Sequence, residues 1–293
     1  MPNLTRIVNL VARIYKRAGY AEPVRRGRKT YSDLYICQMV VIQCLKGYTN
    51  ESSYLRHLKR SRFTHFPRIP SQQQYNQRSK DLAPLIARLT EQVLKELSVN
   101  KTKIRVIDAT GIPVAKLYRA RKTKAFSDKK HFGIGYCVAK KERYFGQKLT
   151  IITNQDGIPV TYHLMAANKH DIRAVAGAAR NLSHVWLIGD KGYVGKQRAE
   201  QLYEQQRIRV ITPRRKNQKQ RNTAWENRKL KHRQIVERIN NQLKDHFGLE
   251  KLRAKSRQGI EARVRNIIFS YLVAVYFNKR YKRNLLSIKD ILA

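Results

Sequence analysis

IRVIDATGIPV, residues 104–114, is the stretch on which the fold turns. Ile104, Val106 and Asp108 alternate with Arg105 and Ile107, which is the period of a strand and sets a carboxylate on one face. Reading outward toward the C-terminus, HFGIGYCVA (131–139) and QKLTIITNQDGIPVTYHLMAAN (147–168) are two more predicted strands, with Asp156-Gly157 at a hairpin turn. HDIRAVAGAARN (170–181) predicts a helix. HVWLIGDKGY (184–193) is an apolar run ending in Gly189-Asp190, the pattern of a buried parallel strand with a carboxylate at its carboxyl end. Ligands of open α/β sheets gather at that edge. KQRAEQLYEQQR (196–207) predicts a helix and IRVITP (208–213) another strand. Residues 214–233 then hold nine Lys or Arg against Glu226 alone, a basic loop.

LKHRQIVERINNQLKDHF, residues 230–247, predicts the closing helix. Ile235, Val236, Ile239, Leu243 and Phe247 share an apolar arc, while Leu230, Arg233, Glu237, Asn240 and Lys244 fall within roughly 80° of one another. Asp108, Asp190 and Glu237, from two strands and a helix, suit divalent ions beside a phosphate, and the flanking cations suit a polyanion. Each has a bland alternative: a turn cap for Asp108, a helix cap for Asp190, and a surface pair with Arg233 or Lys244 for Glu237. Lys191 and Tyr193 are candidate phosphate contacts or helix-start packing. Trp225 is a stacking platform or a loop anchor. His163, His170 and Asp171 have no particular metal spacing; His170 and Asp171, near a strand's end, suit DNA contact or the positioning of a metal-bound water, with capping of the following helix as the bland alternative. Gly192, Gly195 and Lys196 lack the spacing of a phosphate-cradling loop, so no nucleotide cofactor is implied.

Toward the N-terminus the period is helical. Helices are expected over residues 3–18, from Ser32 or Asp33 to Lys46, from Thr49 or Asn50 to near Arg62, and from Ser71 onward with an interruption at Pro84. Gln72, Gln73, Gln74, Asn76 and Arg78 suit base edges in a helix-turn-helix, with a plain helical bundle as the alternative. The expected domains are thus a helical domain, 1–98, and an α/β domain, 99–293, carrying the basic loop 214–233.

The formal charge is +42, from 62 Lys and Arg against 20 Asp and Glu. Self-repulsion on that scale points to a polyanion partner. Cys37, Cys44 and Cys137 form no CxxC pair, which fits a reducing cytosol without structural zinc. The apolar run 267–277 is too short to span a bilayer, and residues 1–17 lack the pattern of a secretory signal.

Taken together, VIDATGIPV, LIGDKGY and the closing-helix spacing Arg233, Glu237, Lys244 resemble the catalytic domain of bacterial insertion-sequence transposases of the DDE class. Leu230 stands where their signature has Tyr. FPRIPSQQQYNQR and the central hairpin are similar to the branch known as insertion-sequence family nine-eighty-two. The resemblance implies an RNase H-like mixed α/β sheet flanked by helices, after an all-α N-terminal domain, and makes the helical domain 1–98 DNA-end-binding and the domain 99–293 catalytic. It implies binding of terminal inverted repeats, cleavage of the DNA ends and joining of the 3′-hydroxyls to target DNA. Asp108, Asp190 and Glu237 would be metal ligands for Mg²⁺, with Mn²⁺ as substitute. Arg233, Lys244, Lys191, Tyr193, Arg214, Arg215, Lys216 and Asn240 would be DNA contacts. A homodimer or larger synaptic complex in the bacterial cytoplasm, at the nucleoid, is expected. The alternatives are a nuclease of this fold that cuts without joining, and a domesticated DNA-binding protein without catalysis.

Overall fold

The alternation beginning at Ile104 is realised as strand β1, Ile104–Ala115, in a computed structural model of the chain. Residues 2–23, 31–61, 65–120, 126–138, 140–193, 195–214, 220–289 and 291–292 are described. Contacts divide the chain into two units, Val99–Asn241 and Met1–Ser98 with Gln242–Ala293.

In the first of these, β1 is followed by β2 (Gly133–Cys137), β3 (Glu142–Asn154), β4 (Pro159–Ala166), β5 (Trp186–Ile188) and β6 (Arg209–Ile211). The stretch 147–168 supplies parts of two strands, so the described residues carry six strands and not the five expected. The sheet runs β2-β3-β1-β5-β6, with β4 also on β3. β3 pairs antiparallel with β1, while its other edge takes β2 along Glu142–Gly146 and β4 along Gln147–Thr153. β5 and β6 join parallel, with Val106 opposite Ile188 and Ile188 opposite Ile211.

Around β1, β5 and β6 both faces are buried, as parallel strands reached by helical crossovers require. Ile107, Ile152 and Leu187 pack with Val175 of α7 (Ile172–Ala178), Leu202 of α8 (Lys196–Gln206) and Tyr193. Ile104, Val106, Ile188 and Ile211 line the other face, under Val236. Burial of such aliphatic side chains contributes about 1.5–3 kcal/mol each.

The expected closing helix is broken. Ala224–Leu230 forms one helix, Arg233–Asp245 a second, and a turn at Lys231–His232 separates them. These are α9 and α10. Thr223 caps α9 through a reciprocal capping box with Glu226, which makes this short helix an independent start. Leu230 therefore does not share a wheel with Arg233 and Glu237; it packs on the apolar cluster with Trp186, Trp225 and Ile235.

The other unit is helical: α1 (Pro2–Ala18), α2 (Asp33–Leu45), α3 (Glu51–Arg60), α4 (Gln72–Asp81), α5 (Ala83–Leu97) and α11 (Arg257–Arg280), numbered after the short α6 (Leu117–Ala120) of the sheet unit. Ser32, Asn50 and Ser71 cap their helices, and the long helix expected from Ser71 stops before Pro84. α11 packs on α1, α2, α4 and α5, with every residue from Asn266 to Asn278 buried. A helix apolar all round has to be a core helix. That is why residues 242–293 cluster with the N-terminal helices, a grouping that differs from the expected boundary. No helix among the described residues is long and apolar enough to cross a membrane.

The expected base-reading side chains of α4 are largely engaged at home. Gln74 completes the Ser71 capping box, Asn76 donates to Glu51 (3.0 Å), and Arg78 pairs with buried Asp33 (2.7 Å). Gln72 accepts from the Ser52 hydroxyl. Ser61 to Ser71 separates α3 from α4, longer than the turn of about three or four residues that defines a helix-turn-helix.

Candidate active site

Parallel register brings the first two carboxylates level. Val106 is opposite Ile188, and Asp108 and Asp190 each lie two residues further along. Neighbouring strands run about 4.8 Å apart, so the two acids meet at the carboxyl end of β5. Asp108 lies on the same side of β1 as Ile104 and Val106, the side that α10 covers through Val236.

Asn240 of α10 reaches Asp108 there, its Nδ2 donating to Oδ2 at 2.8 Å. Burial pushes the Asp108 carboxyl up to about 6. The Ala109 N–H and Asn240 work against that rise, and the charges of Asp190 and Glu237 add to it. Glu237 is near enough to be felt, yet it is exposed and pairs with Arg233 at 3.5 Å. Asn240 is buried, and its Oδ1 has no hydrogen-bond partner.

Asp190 accepts from the Gly192 N–H at 2.7 Å, which folds the chain after β5 into a tight turn. Gly189 permits that turn: a Cβ would lie 2.9 Å from both Ile107 and Tyr193. Tyr193 is buried in the core beneath, its hydroxyl held in the protonated form by burial and by Asp108, Asp171 and Asp190. A phosphate cannot reach it, so its expected role as a DNA contact gives way to packing. Asn240 is corrected likewise, from the polar stripe to a buried partner of Asp108. Lys191 is exposed beside Asp190.

Two further neighbours lie at this edge: Asp171, for which the sequence offers helix capping or a part in the site, and Lys148, for which it offers none. A Cβ on Gly192 would come 3.0 Å from an Asp190 oxygen and 3.4 Å from an Asp171 oxygen, so Asp171 is a further carboxylate here. It makes no capping hydrogen bond to α7; instead it pairs with Lys148 at 2.8 Å, whose ammonium also donates to the Lys169 carbonyl. Lys148 sits opposite Gly111 on β1, a register invisible before β3 is paired.

Further out, Arg214 is exposed and its N–H donates to Asn222; Arg215 and Lys216 lie outside the described residues. Lys244 pairs with Glu250 at 3.6 Å. Trp225 meets Trp186 edge-on at 5.0 Å with Arg209 over its ring, which is packing and not a free stacking platform. His170 is exposed, and His163 packs beneath Gly177.

Among the described residues no three carboxylate, imidazole or thiol groups are gathered closely enough to hold an ion as they stand. The chemistry of the donors still fits a hard divalent cation. Asp108, buried and repelled by two other acids, is the kind of group a cation would return to its ionised form.

A search of curated proteins finds no match. The family profile described as "Transposase DDE domain" matches residues 98–257, more than half of the chain and the whole span from β1 through α10. The chain belongs to the family of transposase DDE domains.

Proposed function

We propose that the chain is an insertion-sequence transposase, of the branch known as family nine-eighty-two, with an RNase H-like catalytic unit. It binds the terminal inverted repeats of its element, cuts the DNA ends and joins the freed 3′-hydroxyls to target DNA. The observation that carries this reading is the parallel register that sets Asp108 and Asp190 level on adjacent strands, with Glu237 on the helix that covers that side and its charge, like that of Asp190, raising the Asp108 carboxyl. The mixed sheet, with its antiparallel strands followed by two parallel ones, supports the RNase H-like assignment.

Asp108, Asp190 and Glu237 would hold Mg²⁺, or Mn²⁺ in its place, for which Glu237 has only to leave its exposed pair with Arg233. Such ions, when bound, neutralise the attacked phosphate and acidify the attacking water or hydroxyl. Asn240 and the Ala109 N–H fix the orientation of the Asp108 carboxyl. The exposed Lys191 and the loop 214–216 grip phosphates, as do Arg233 and Lys244 on α10. Leu230 offers no hydroxyl, so the route does not use a tyrosine-held hairpin end. Two ends are processed together, in a dimer or larger synaptic complex.

Incubation of labelled element ends and target DNA with the protein and Mg²⁺ tests this reading. Joined products are expected. Cut ends without joining would make the chain a nuclease, and a shifted band without either would make it a binding protein.

A further inference from the structure

Between β1 and β3 the chain makes an excursion that the catalytic reading leaves without a use. Residues 116–143 carry ten Lys or Arg against Asp128 and Glu142. The excursion ends in β2, an edge strand whose two faces differ sharply. Gly133 and Gly135 face inward: a Cβ on the first would run into the Asn168 side chain, and one on the second would lie 2.9 Å from Ala167 and Tyr144. Pressed down in this way, the strand turns Ile134 and Tyr136 outward at 51% and 56% exposure, and Val138, in the turn that follows, is 78% exposed. Phe145, opposite Ile134 and so on the same face, continues through Phe132 to Phe126 in a chain of ring contacts, and Asp128 is bonded to His131, so the platform is built and not frayed.

Three exposed apolar side chains along one strand and the turn that follows it mark a surface that something covers. Lys129, Lys130, Lys141 and Arg143 are exposed around them. A second copy of this chain, set face to face, would bring the same cations against one another. A polyanion meets them with the opposite sign. Tyr136 between Ile134 and Val138 then suits sugar and base faces, as apolar wedges do at an opened or widened groove.

The direction of the strands gives the distance. Ile134 pairs with Phe145, which pairs with Ala115, seven residues along β1 from Asp108. At about 3.3 Å per residue that is about 23 Å, or roughly seven base pairs of duplex. We propose, resting on the DNA-processing reading above, that the β2–β3 hairpin is a second DNA-contact site. Its exposed Ile134-Tyr136-Val138 face packs on the DNA while the surrounding Lys and Arg hold phosphates, roughly two-thirds of a turn from the carboxylates.

Fluorescence anisotropy on a labelled element-end duplex, in EDTA so that no cleavage occurs, tests the site separately from the chemistry. The triple variant I134S/Y136S/V138S, all at exposed positions, should bind about tenfold more weakly with the salt slope unchanged. The variant K141A/R143A should lose affinity with a slope shallower by about two. Binding within twofold of wild type by both variants overturns the proposal. So does loss of self-association by the triple variant, read by light scattering, with DNA affinity intact, since the face then belongs to a protein partner. A wild-type protein that binds but never cuts, together with weakened variants, would defeat the catalytic reading and leave this one standing.

Discussion

Asp108 owes its character to its neighbours. On an exposed strand it would be an ordinary acid; under α10, burial and then the charges of Asp190 and Glu237 push its carboxyl up to about 6, against the opposing hydrogen bonds of the Ala109 N–H and Asn240. Leu230 shows the same dependence in reverse. On an unbroken helix it faces the site, whereas on α9 it packs on the core. Leu230→Ala should therefore cost about 1–2 kcal/mol of stability for a half-buried leucine and leave cleavage within about tenfold. Chemical denaturation and a single-turnover cleavage gel on one preparation check both. Lys244→Ala should behave oppositely, with stability near wild type and cleavage down by well over tenfold, because a cation is taken from the phosphates. Abundant covalently closed hairpin ends from the wild-type protein would contradict the role given to Leu230.

Among the elements, α9 is held by local devices. The capping box at Thr223 starts α9, and the Trp186–Trp225 contact seats it on the sheet. Thr223→Ala should cost about 1 kcal/mol and raise hydrogen exchange in residues 224–230 before any change in β1. Unaltered exchange there would mean that the aromatic contact alone fixes α9. Elements are also where the sequence is most and least legible. Ser32, Asn50 and Ser71 announce helix starts through their own side chains, and the alternation around Asp108 announces β1. Those signals are local. The break at Lys231–His232 is hidden because the apolar arc and the polar stripe both continue across it, so periodicity sees one helix. Asp171 and Asn240 take roles other than those expected because their partners, Lys148 and Asp108, lie 23 and 132 residues away. Nothing local reports a pairing of that range.

For the whole molecule, two properties follow from composition and connectivity. A net charge of +42 makes DNA affinity depend steeply on salt. Replacing Arg214, Arg215 and Lys216 by Ala should weaken all DNA sequences alike, with the slope shallower by roughly one for each phosphate left without its cation. Unchanged slope and affinity would return that stretch to a solvated loop. Connectivity is the second property. Because α11 fills the core of the helical unit, residues 1–98 alone lack the helix on which α1, α2 and α5 pack. That fragment should be largely unfolded by circular dichroism and gain helix when residues 242–293 are supplied in trans. A cooperatively folded 1–98 would show that the N-terminal helices need no such partner.

The claim on which the rest depends is that Asp108, Asp190 and Glu237 act as one centre on DNA phosphates. Asp108→Asn, Asp190→Asn and Glu237→Gln each remove a charge and keep the size. Gel-shift affinity and Mg²⁺-dependent strand cleavage, measured for each variant on the same element-end DNA, test it most directly. The account predicts end binding within a fewfold of wild type and no detectable cleavage for all three. Cleavage at near-wild-type rate by any one of them would remove that residue from the centre and contradict the account.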